Sequence, residues 1–162
     1  RPPLIALFRV RGPPPDEAFT FKLVNVHTDP DDTSQELNAL DEVYRAVRTD
    51  HRSDEDDIII LGDLNADDQH LGELGRIPGM AWAVSGIPTN TRRSEQLDNI
   101  LYHSQATSEY TGRHGVLNIM REFNLSLALA LEMSDHCPIW AEFSAYEDVV
   151  GRVAARAGTT TE

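Results

Sequence analysis

An aspartate and an asparagine two positions apart, directly after a short aliphatic run, are the first residues here that could do chemistry. Residues 58–61 (IIIL) are followed by Gly62, Asp63 and, two positions further, Asn65. Because alternate side chains of an extended chain share a face, Asp63 and Asn65 can converge beyond the end of a strand. A carboxylate there suits a hard divalent cation, and an amide can donate to a phosphate oxygen. A strand followed by an ordinary Asx turn explains the same residues, so the pair alone leaves both interpretations open.

Three other apolar segments also carry polar residues able to act as acids, bases or ligands. These residues are His27 after segment 19–26, Asp98 inside segment 96–102, and Asp135 with His136 before segment 138–143. A carboxylate within an apolar strand is costly unless it is hydrogen-bonded, so Asp98 either faces solvent or orients a catalytic group. Separate segments that bring carboxylate, amide and imidazole to strand ends are how a rigid sheet assembles a catalytic site.

The elements that must position these residues follow from hydrophobic periodicity. Segments 4–10 and 19–26 are predicted to be neighbouring strands, and residues 33–51 are predicted to form an amphipathic helix. Thr33 and Glu36 have the spacing of a capping box. A strand, a helix and another strand in series indicate a helix packed on the outside of a sheet. Shorter elements are expected as a helix near 71–75, a strand within 77–85, a broken helix over 117–131 and a terminal helix over 146–157.

Composition limits the classes of function that this chain can serve. Its length suits one domain, and 27 acidic against 14 basic residues give a net charge of −13. Such a surface is poorly suited to tight passive binding of nucleic acid, although an enzyme can still hold phosphate locally through a metal. The single cysteine, Cys137, excludes an internal disulfide and is expected to be a small buried residue. The sequence contains no transmembrane run or signal peptide, and localisation stays undetermined.

The four polar clusters, in this order, resemble the endonuclease/exonuclease/phosphatase superfamily, and within it the deoxyribonuclease I-like branch. The matching segments are 25–30 (NVHTDP), 61–67 (LGDLNAD), 97–100 (LDNI) and 134–138 (SDHCP). One position departs from the family motif, because deoxyribonuclease I has an arginine where this chain has Asn99. The resemblance implies an α+β fold that is part of a four-layer αββα sandwich, with two packed mixed sheets flanked by helices.

The resemblance covers only the later part of that fold. Residues 1–157 are expected to be the C-terminal portion of the domain, and residues 158–162 a frayed tail. The family's metal-binding glutamate and the glutamate paired with its site histidine belong to the earlier portion. The chain by itself is therefore expected to be nearly inactive, to hold no well-ordered metal and to cover its apolar surface by self-association.

By the same resemblance, the chain is expected to be a metal-dependent phosphodiesterase acting on DNA. His136 would be the general base and Asp98 would orient it, while Asp63 would orient the nucleophile or hold metal. Asp135 would help to hold Mg²⁺ or Mn²⁺, and Asn65 and His27 would contact the phosphate or the leaving oxygen. Arg92 and Arg93 are further candidates for phosphate contacts, with a solvated loop as the alternative. The resemblance also allows structural Ca²⁺ near the threonine-rich loop that contains Thr89 and Thr91.

Two other functions remain open at this stage. A phosphoesterase of the same superfamily, acting on phosphorylated lipids or inositols, would share these motifs, since the motif residues act on the phosphate and not on its substituents. A module that keeps the fold for binding without catalysis is the third alternative.

Overall fold

The computed structural model describes residues 2–147, which form an α+β structure of seven strands and four helices. The strands are β1 (Leu4–Arg9), β2 (Thr20–His27), β3 (Ile58–Asp63), β4 (Met80–Trp82), β5 (Asp98–His103), β6 (Tyr110–Val116) and β7 (Ile139–Phe143). The helices are α1 (Thr33–Arg48), α2 (Gly72–Gly75), α3 (Ile119–Glu122) and α4 (Leu127–Met133). Apart from β6, these elements were predicted from the sequence, with boundaries that differ by a few residues.

The strands form two sheets that differ in size. The larger sheet has the order β1-β2-β3-β5-β4, and the smaller sheet contains β6 and β7. Only β2 and β3 pair in parallel, because α1 crosses from the end of one strand to the start of the next. The remaining pairs are antiparallel. The parallel pair places the C-terminal ends of β2 and β3 side by side.

The aliphatic run of β3 is buried on both faces, as its composition predicts. Ile58 and Ile60 pack in the core under α1, whereas Ile59 packs with Ile139 and Phe143 in the core between the two sheets. This gives a layer order of helix, large sheet, small sheet. Residues 2–147 therefore have the layering expected of part of the αββα sandwich.

The structure differs from the sequence-based expectation at the start of α1 and at β6, and it describes only the first residues of the predicted terminal helix. Thr33 and Glu36 form no capping box, because the Glu36 carboxylate accepts from the Asp29 backbone N–H at 2.7 Å. Strand β6 was missed, since YTGRHGV has two glycines and no alternation of large apolar residues. The predicted terminal helix falls almost wholly outside the described residues, and Tyr146 at its start forms an extended bridge with Ala18.

Strand β1 lies at the edge of the large sheet and exposes large apolar side chains. Leu4 is 68% exposed and Leu7 is 60% exposed. Such an edge favours pairing with another chain, and the expected self-association stays a prediction. Among residues 2–147, no helix has both the length and the apolar composition needed to cross a membrane.

Gly62 is required by the close approach of β2 and β3 immediately before Asp63. Its φ is +138°, and a Cβ at this position would lie 1.9 Å from the carbonyl oxygen of Val26 on the neighbouring strand. Gly12 also has a positive φ, of +118°, but a Cβ there would meet nothing within 4 Å. The two glycines therefore differ in steric surroundings but share a positive φ that would strain any residue with a Cβ.

We predict that Gly62→Ala lowers the free energy of unfolding by about 3 kcal/mol or more, since backbone strain and overpacking each cost about 1–3 kcal/mol. Urea denaturation measures this change. Gly12→Ala is the matched control and should show the backbone cost alone. Equal effects of the two substitutions would contradict the steric explanation.

Candidate active site

Three of the predicted site residues are aligned by strand register. His27 on β2 is paired with Asp63 on β3, and Asp63 is paired with Asp98 on β5. Residues opposite each other on adjacent strands lie about 5 Å apart and point to the same face. The ends of three neighbouring strands thus place one imidazole and two carboxylates in a row.

The fourth residue, His136, reaches this row from the loop before β7. An isolated bridge between His136 and Asn90 places it there, and its Nδ1 lies 2.8 Å from Asp98 Oδ2. The predicted contact between Asp98 and His136 is therefore present. Because an ionised carboxylate only accepts, His136 carries its proton on Nδ1 and leaves Nε2 as the basic nitrogen.

Thr89 contacts the same oxygen of the Asp98 carboxylate as His136 does. Its hydroxyl donates to Asp98 Oδ2 at 2.6 Å and accepts from the backbone N–H groups of Leu97 and Asp98. Thr89 is fully buried, and its hydroxyl uses its one donor and both acceptor positions on Leu97 and Asp98. Asp98 is thus fixed by two partners, one of which is the imidazole it orients.

The basic nitrogen of His136 faces the carboxylate of Asp63 across a short gap. His136 Nε2 lies 3.8 Å from Asp63 Oδ2, and the same oxygen lies 3.7 Å from His27 Nε2. These separations exceed direct hydrogen bonds, and a group with two protons, such as water, could donate to His136 and Asp63 together. The arrangement can orient and deprotonate a nucleophile.

Electrostatics favour the protonated form of His136. Partial burial opposes protonation, but the hydrogen bond and charge of Asp98, together with the charges of Asp63 and Asp135, outweigh it and raise the pKa of His136 above its ordinary value. A raised pKa makes the imidazole a stronger base, able to retain a proton taken from a nucleophile.

Asn65 follows β3 in a left-handed conformation, with φ of +46°. Its backbone N–H donates to Asp63 Oδ1 at 3.0 Å, which is the Asx-type turn that the sequence left as an alternative. Its side-chain Nδ2 donates to the Thr28 carbonyl at 2.8 Å. Asn65 therefore connects the end of β3 to the end of β2. The Asx turn and the candidate active site are both formed by Asp63 and Asn65.

The other site candidates lie at the rim. Asp135 is exposed, and its backbone carbonyl accepts from the Thr91 N–H. Arg92 is exposed, whereas Arg93 has φ of +61° and a buried Nη1 without a hydrogen-bond partner.

One group of side chains able to hold a metal ion lies at the aligned strand ends. Asp63, Asp98 and His136 offer one oxygen or nitrogen atom each, all within 4.8 Å of one another. Carboxylate oxygens fit Mg²⁺ and Mn²⁺, but Asp98 and His136 are already committed to each other. Of this group, Asp63 is the ligand best able to serve a hard cation, and Asp135 does not belong to the group.

Sequence reasoning missed the role of the segment 89–91. Thr91 donates from its hydroxyl to the Ser134 carbonyl, while Cys137 donates its backbone N–H to the Thr89 carbonyl. The segment therefore fastens the loop of His136 to the turn before Asp98. Its one sequence signal is two threonines flanking an asparagine, which predicts a polar loop but not its partners.

Asn99, the departure from the family motif, has a structural role. It is fully buried, accepts from the Val84 N–H at 3.1 Å and donates to the Val84 carbonyl at 2.8 Å. The residue thus holds the segment after β4 against β5 and does not point to the site.

Comparison with known proteins identifies relatives at moderate identity. Deoxyribonuclease-1-like 1 of Cricetulus griseus is 36% identical over 132 residues, covering 75% of this chain and 43% of the relative. The Homo sapiens protein of the same name is 31% identical over 152 residues, covering 88% of this chain and 49% of the relative. Deoxyribonuclease gamma of Rattus norvegicus is 26% identical over 151 residues, covering 86% of this chain and 47% of the relative. This chain thus spans about half the length of these relatives.

A crystal structure of the Haemophilus ducreyi cytolethal distending toxin is similar over 85% of this chain and 58% of the toxin chain, with 15% sequence identity and a TM-score of 0.49. No family model matches this chain.

We predict that Asp98→Asn lowers the pKa of His136, because the charge that favours the imidazolium is removed. Proton NMR of the histidine rings during a pH titration measures this directly. Asp67→Asn is the matched control: it removes a carboxylate that contacts a different histidine, with Asp67 2.6 Å from His70 Nδ1, and it should leave the pKa of His136 unchanged. An unchanged His136 pKa in Asp98→Asn would contradict the assigned pairing.

The same shift has a consequence for stability. Since the folded-state pKa of His136 is raised, the pair contributes stability below the ordinary pKa of 6.5, and that contribution is lost as the pH rises through the folded-state value. Unfolding experiments across this window should therefore show less pH dependence in Asp98→Asn than in the unmodified protein.

Proposed function

This chain belongs to the deoxyribonuclease I-like branch of the endonuclease/exonuclease/phosphatase superfamily, and we propose that it serves in metal-dependent hydrolysis of phosphodiesters, with DNA as the substrate. The observation that carries this proposal is the chain of contacts from Thr89 through Asp98 to His136, which leaves the basic nitrogen of His136 facing Asp63. Such an oriented base beside a carboxylate is suited to activating water for attack on phosphorus.

In the proposed reaction, His136 Nε2 accepts a proton from the attacking water while Asp63 accepts its second hydrogen bond. Asp98 keeps the imidazole in the required tautomer and stabilises the imidazolium that forms. His27 is 54% exposed at its side chain and lies on the other side of Asp63, where it can donate to a phosphate or leaving oxygen. Asn65 Nδ2 donates to the Thr28 carbonyl at 2.8 Å and, at 3.4 Å, to the Thr28 hydroxyl. In the proposed phosphate contact, a phosphate oxygen takes the place of that hydroxyl as the second acceptor.

A divalent ion would supply charge neutralisation at the phosphate when bound. Asp63 and Asp135 are the proposed ligands, with Mg²⁺ or Mn²⁺ as the ion. The relatives support divalent-metal use in general, and the ion itself is part of the proposal. Structural Ca²⁺ near Thr89 and Thr91 also stays a prediction.

The cleft beside Asn65 is acidic, and its lining does not include His27, Asp63, Asp98 or His136. It has a volume of about 610 Å³, and its walls include Asp67, Asp68 and Glu95 but no lysine or arginine among the described lining residues. A polyanion entering this cleft meets like charge, which favours metal ions over side chains as the means of neutralisation.

DNA is proposed as the substrate because the relatives are named deoxyribonucleases. The superfamily alternative, a phosphoesterase for phosphorylated lipids or inositols, shares the same catalytic residues. A non-catalytic binding module would retain the fold without needing the contact between Asp98 and His136.

We predict that the intact protein nicks supercoiled plasmid with Mg²⁺ or Mn²⁺ and stops in EDTA. His136→Ala and His27→Ala should each reduce the rate by about 10²-fold or more, the usual contribution of an acid or base. Agarose-gel assays measure both effects. His51→Ala is the matched control, because His51 is exposed in the turn after α1.

Three outcomes would count against this proposal. Hydrolysis of phosphoinositides with intact plasmid would favour the lipid or inositol alternative, and binding of DNA without cleavage would favour the module. Rates unaffected by His136→Ala would contradict the assigned base. The same assay on residues 1–162 alone tests the predicted inactivity of this portion.

A further inference from the structure

A second group of acidic side chains lies at the opposite end of β3 from the candidate active site. Asp57 immediately precedes β3, Glu109 immediately precedes β6, and Glu147 follows the bridge between Ala18 and Tyr146. Their ligand atoms all lie within 4.8 Å of one another. Asp63 lies six positions after Asp57, which is about 20 Å along an extended strand. The acidic group at Asp57 and the candidate active site at Asp63 are therefore independent.

Burial distinguishes this group from an ordinary acidic surface. Asp57 is 2% exposed and Glu109 is 5% exposed. Asp57 Oδ1 is buried without a hydrogen-bond partner, and so is the hydroxyl of the neighbouring Thr107, which is 1% exposed. The Thr107 hydroxyl lies close enough to lower the pKa of Asp57, yet its geometry is not that of a full hydrogen bond. Two buried oxygen atoms here thus lack the partner that burial normally requires.

The cationic side chain beside Asp57 is committed elsewhere. The Lys22 backbone N–H donates to the Asp57 carbonyl, but its ammonium donates to the carbonyls of Glu55 and Val47 at 2.7 and 3.2 Å. The Glu55 side chain adds a further negative charge, and it accepts from the Thr20 hydroxyl and the Asp57 N–H. The Glu147 carboxylate accepts from the Thr20 N–H at 3.1 Å. Three close carboxylates, two of them buried, repel each other unless a cation or protons compensate them.

We propose that Asp57, Glu109 and Glu147 bind a divalent cation of the Ca²⁺ type, with Thr107 as a neutral oxygen ligand. The donors are all oxygen, as hard cations prefer, and their spread is within twice the Ca²⁺–oxygen distance of about 2.3–2.6 Å. The ligands come from the start of β3, the start of β6 and the segment after β7. The bound ion therefore joins the large sheet to the small sheet and acts on stability, not on the reaction.

The competing state is a protonated group. Burial, and then the nearby charges of Glu109, Glu55 and Glu147, raise the pKa of Asp57 to about 8, while Thr107 acts in the opposite direction. A proton on Asp57 would relieve the repulsion without any metal. The two states differ in their response to added Ca²⁺.

The test is a Ca²⁺ titration of the intact protein by calorimetry and by thermal unfolding, performed in an Asp63→Asn background that weakens binding at the candidate active site. We expect Ca²⁺ to raise the Tm, and Asp57→Asn to weaken Ca²⁺ binding by about tenfold or more, since affinity follows the charge of the ligand set. In EDTA, Asp57→Asn should be at least as stable as its parent, because a buried charge is removed. Asp54→Asn, exposed in the same loop, is the matched control.

Glu109→Gln provides a second variant if Asp57→Asn does not fold, and it should also reduce the Ca²⁺-dependent rise in Tm. A Tm unaffected by millimolar Ca²⁺ would overturn the proposal in favour of the protonated state. Equal Ca²⁺ affinity in Asp57→Asn and its parent would overturn it as well. Neither result would bear on the plasmid assay, which reports on residues at the other end of β3.

Discussion

The register between β2, β3 and β5 is the constraint on which the candidate active site depends. Backbone pairing sets His27 beside Asp63 and Asp63 beside Asp98, before any side chain makes a contact. A slip of one residue would turn each of these side chains to the opposite face of its strand. The slip is opposed at Gly62, because any other residue moved into its place would bring a Cβ to 1.9 Å from the Val26 carbonyl oxygen.

The strand ends also explain how an acidic protein can hold several carboxylates close together. At the C-terminal end of β3, Asp98 is stabilised by Thr89 and His136, so its negative charge is compensated by donors. At the N-terminal end, Asp57 lacks comparable donors. The same strand therefore has, at one end, a carboxylate held by two donors and, at the other, a buried Asp57 oxygen without a hydrogen-bond donor, which an additional ion or proton would satisfy.

Much of this arrangement could be predicted from the sequence, for identifiable physical reasons. The apolar run of β3 and the apolar face of α1 each show, within a short stretch of sequence, which side chains are buried. The order of the motifs linked Asp98 to His136, which are 38 residues apart in the sequence. Strand β6 could not be predicted, because its seven residues include two glycines and its partner is the distant β7. The role of Thr89 was equally hidden, since a buried threonine in a polar loop has the same local pattern as an exposed one. The burial of Asp57 could not be predicted from its acidic loop. It differs from its exposed neighbours only because the folded chain brings it beside Glu109, just before β6.

The ties made by segment 89–91 have a consequence for hydrogen exchange. Loop amides usually open easily, yet the Thr91 N–H is held by the Asp135 carbonyl and the Cys137 N–H by the Thr89 carbonyl, both at 2.7 Å. Neither bond can open without moving the turn that carries Asp98 or the loop that carries His136. The amides of Thr91 and Cys137 are 46 residues apart in the sequence. They should nevertheless exchange slowly, and as one cooperative unit with the start of β5. The loops of the candidate active site would then share the protection of the sheet, and the arrangement of Asp98 and His136 would persist until the sheet itself opens.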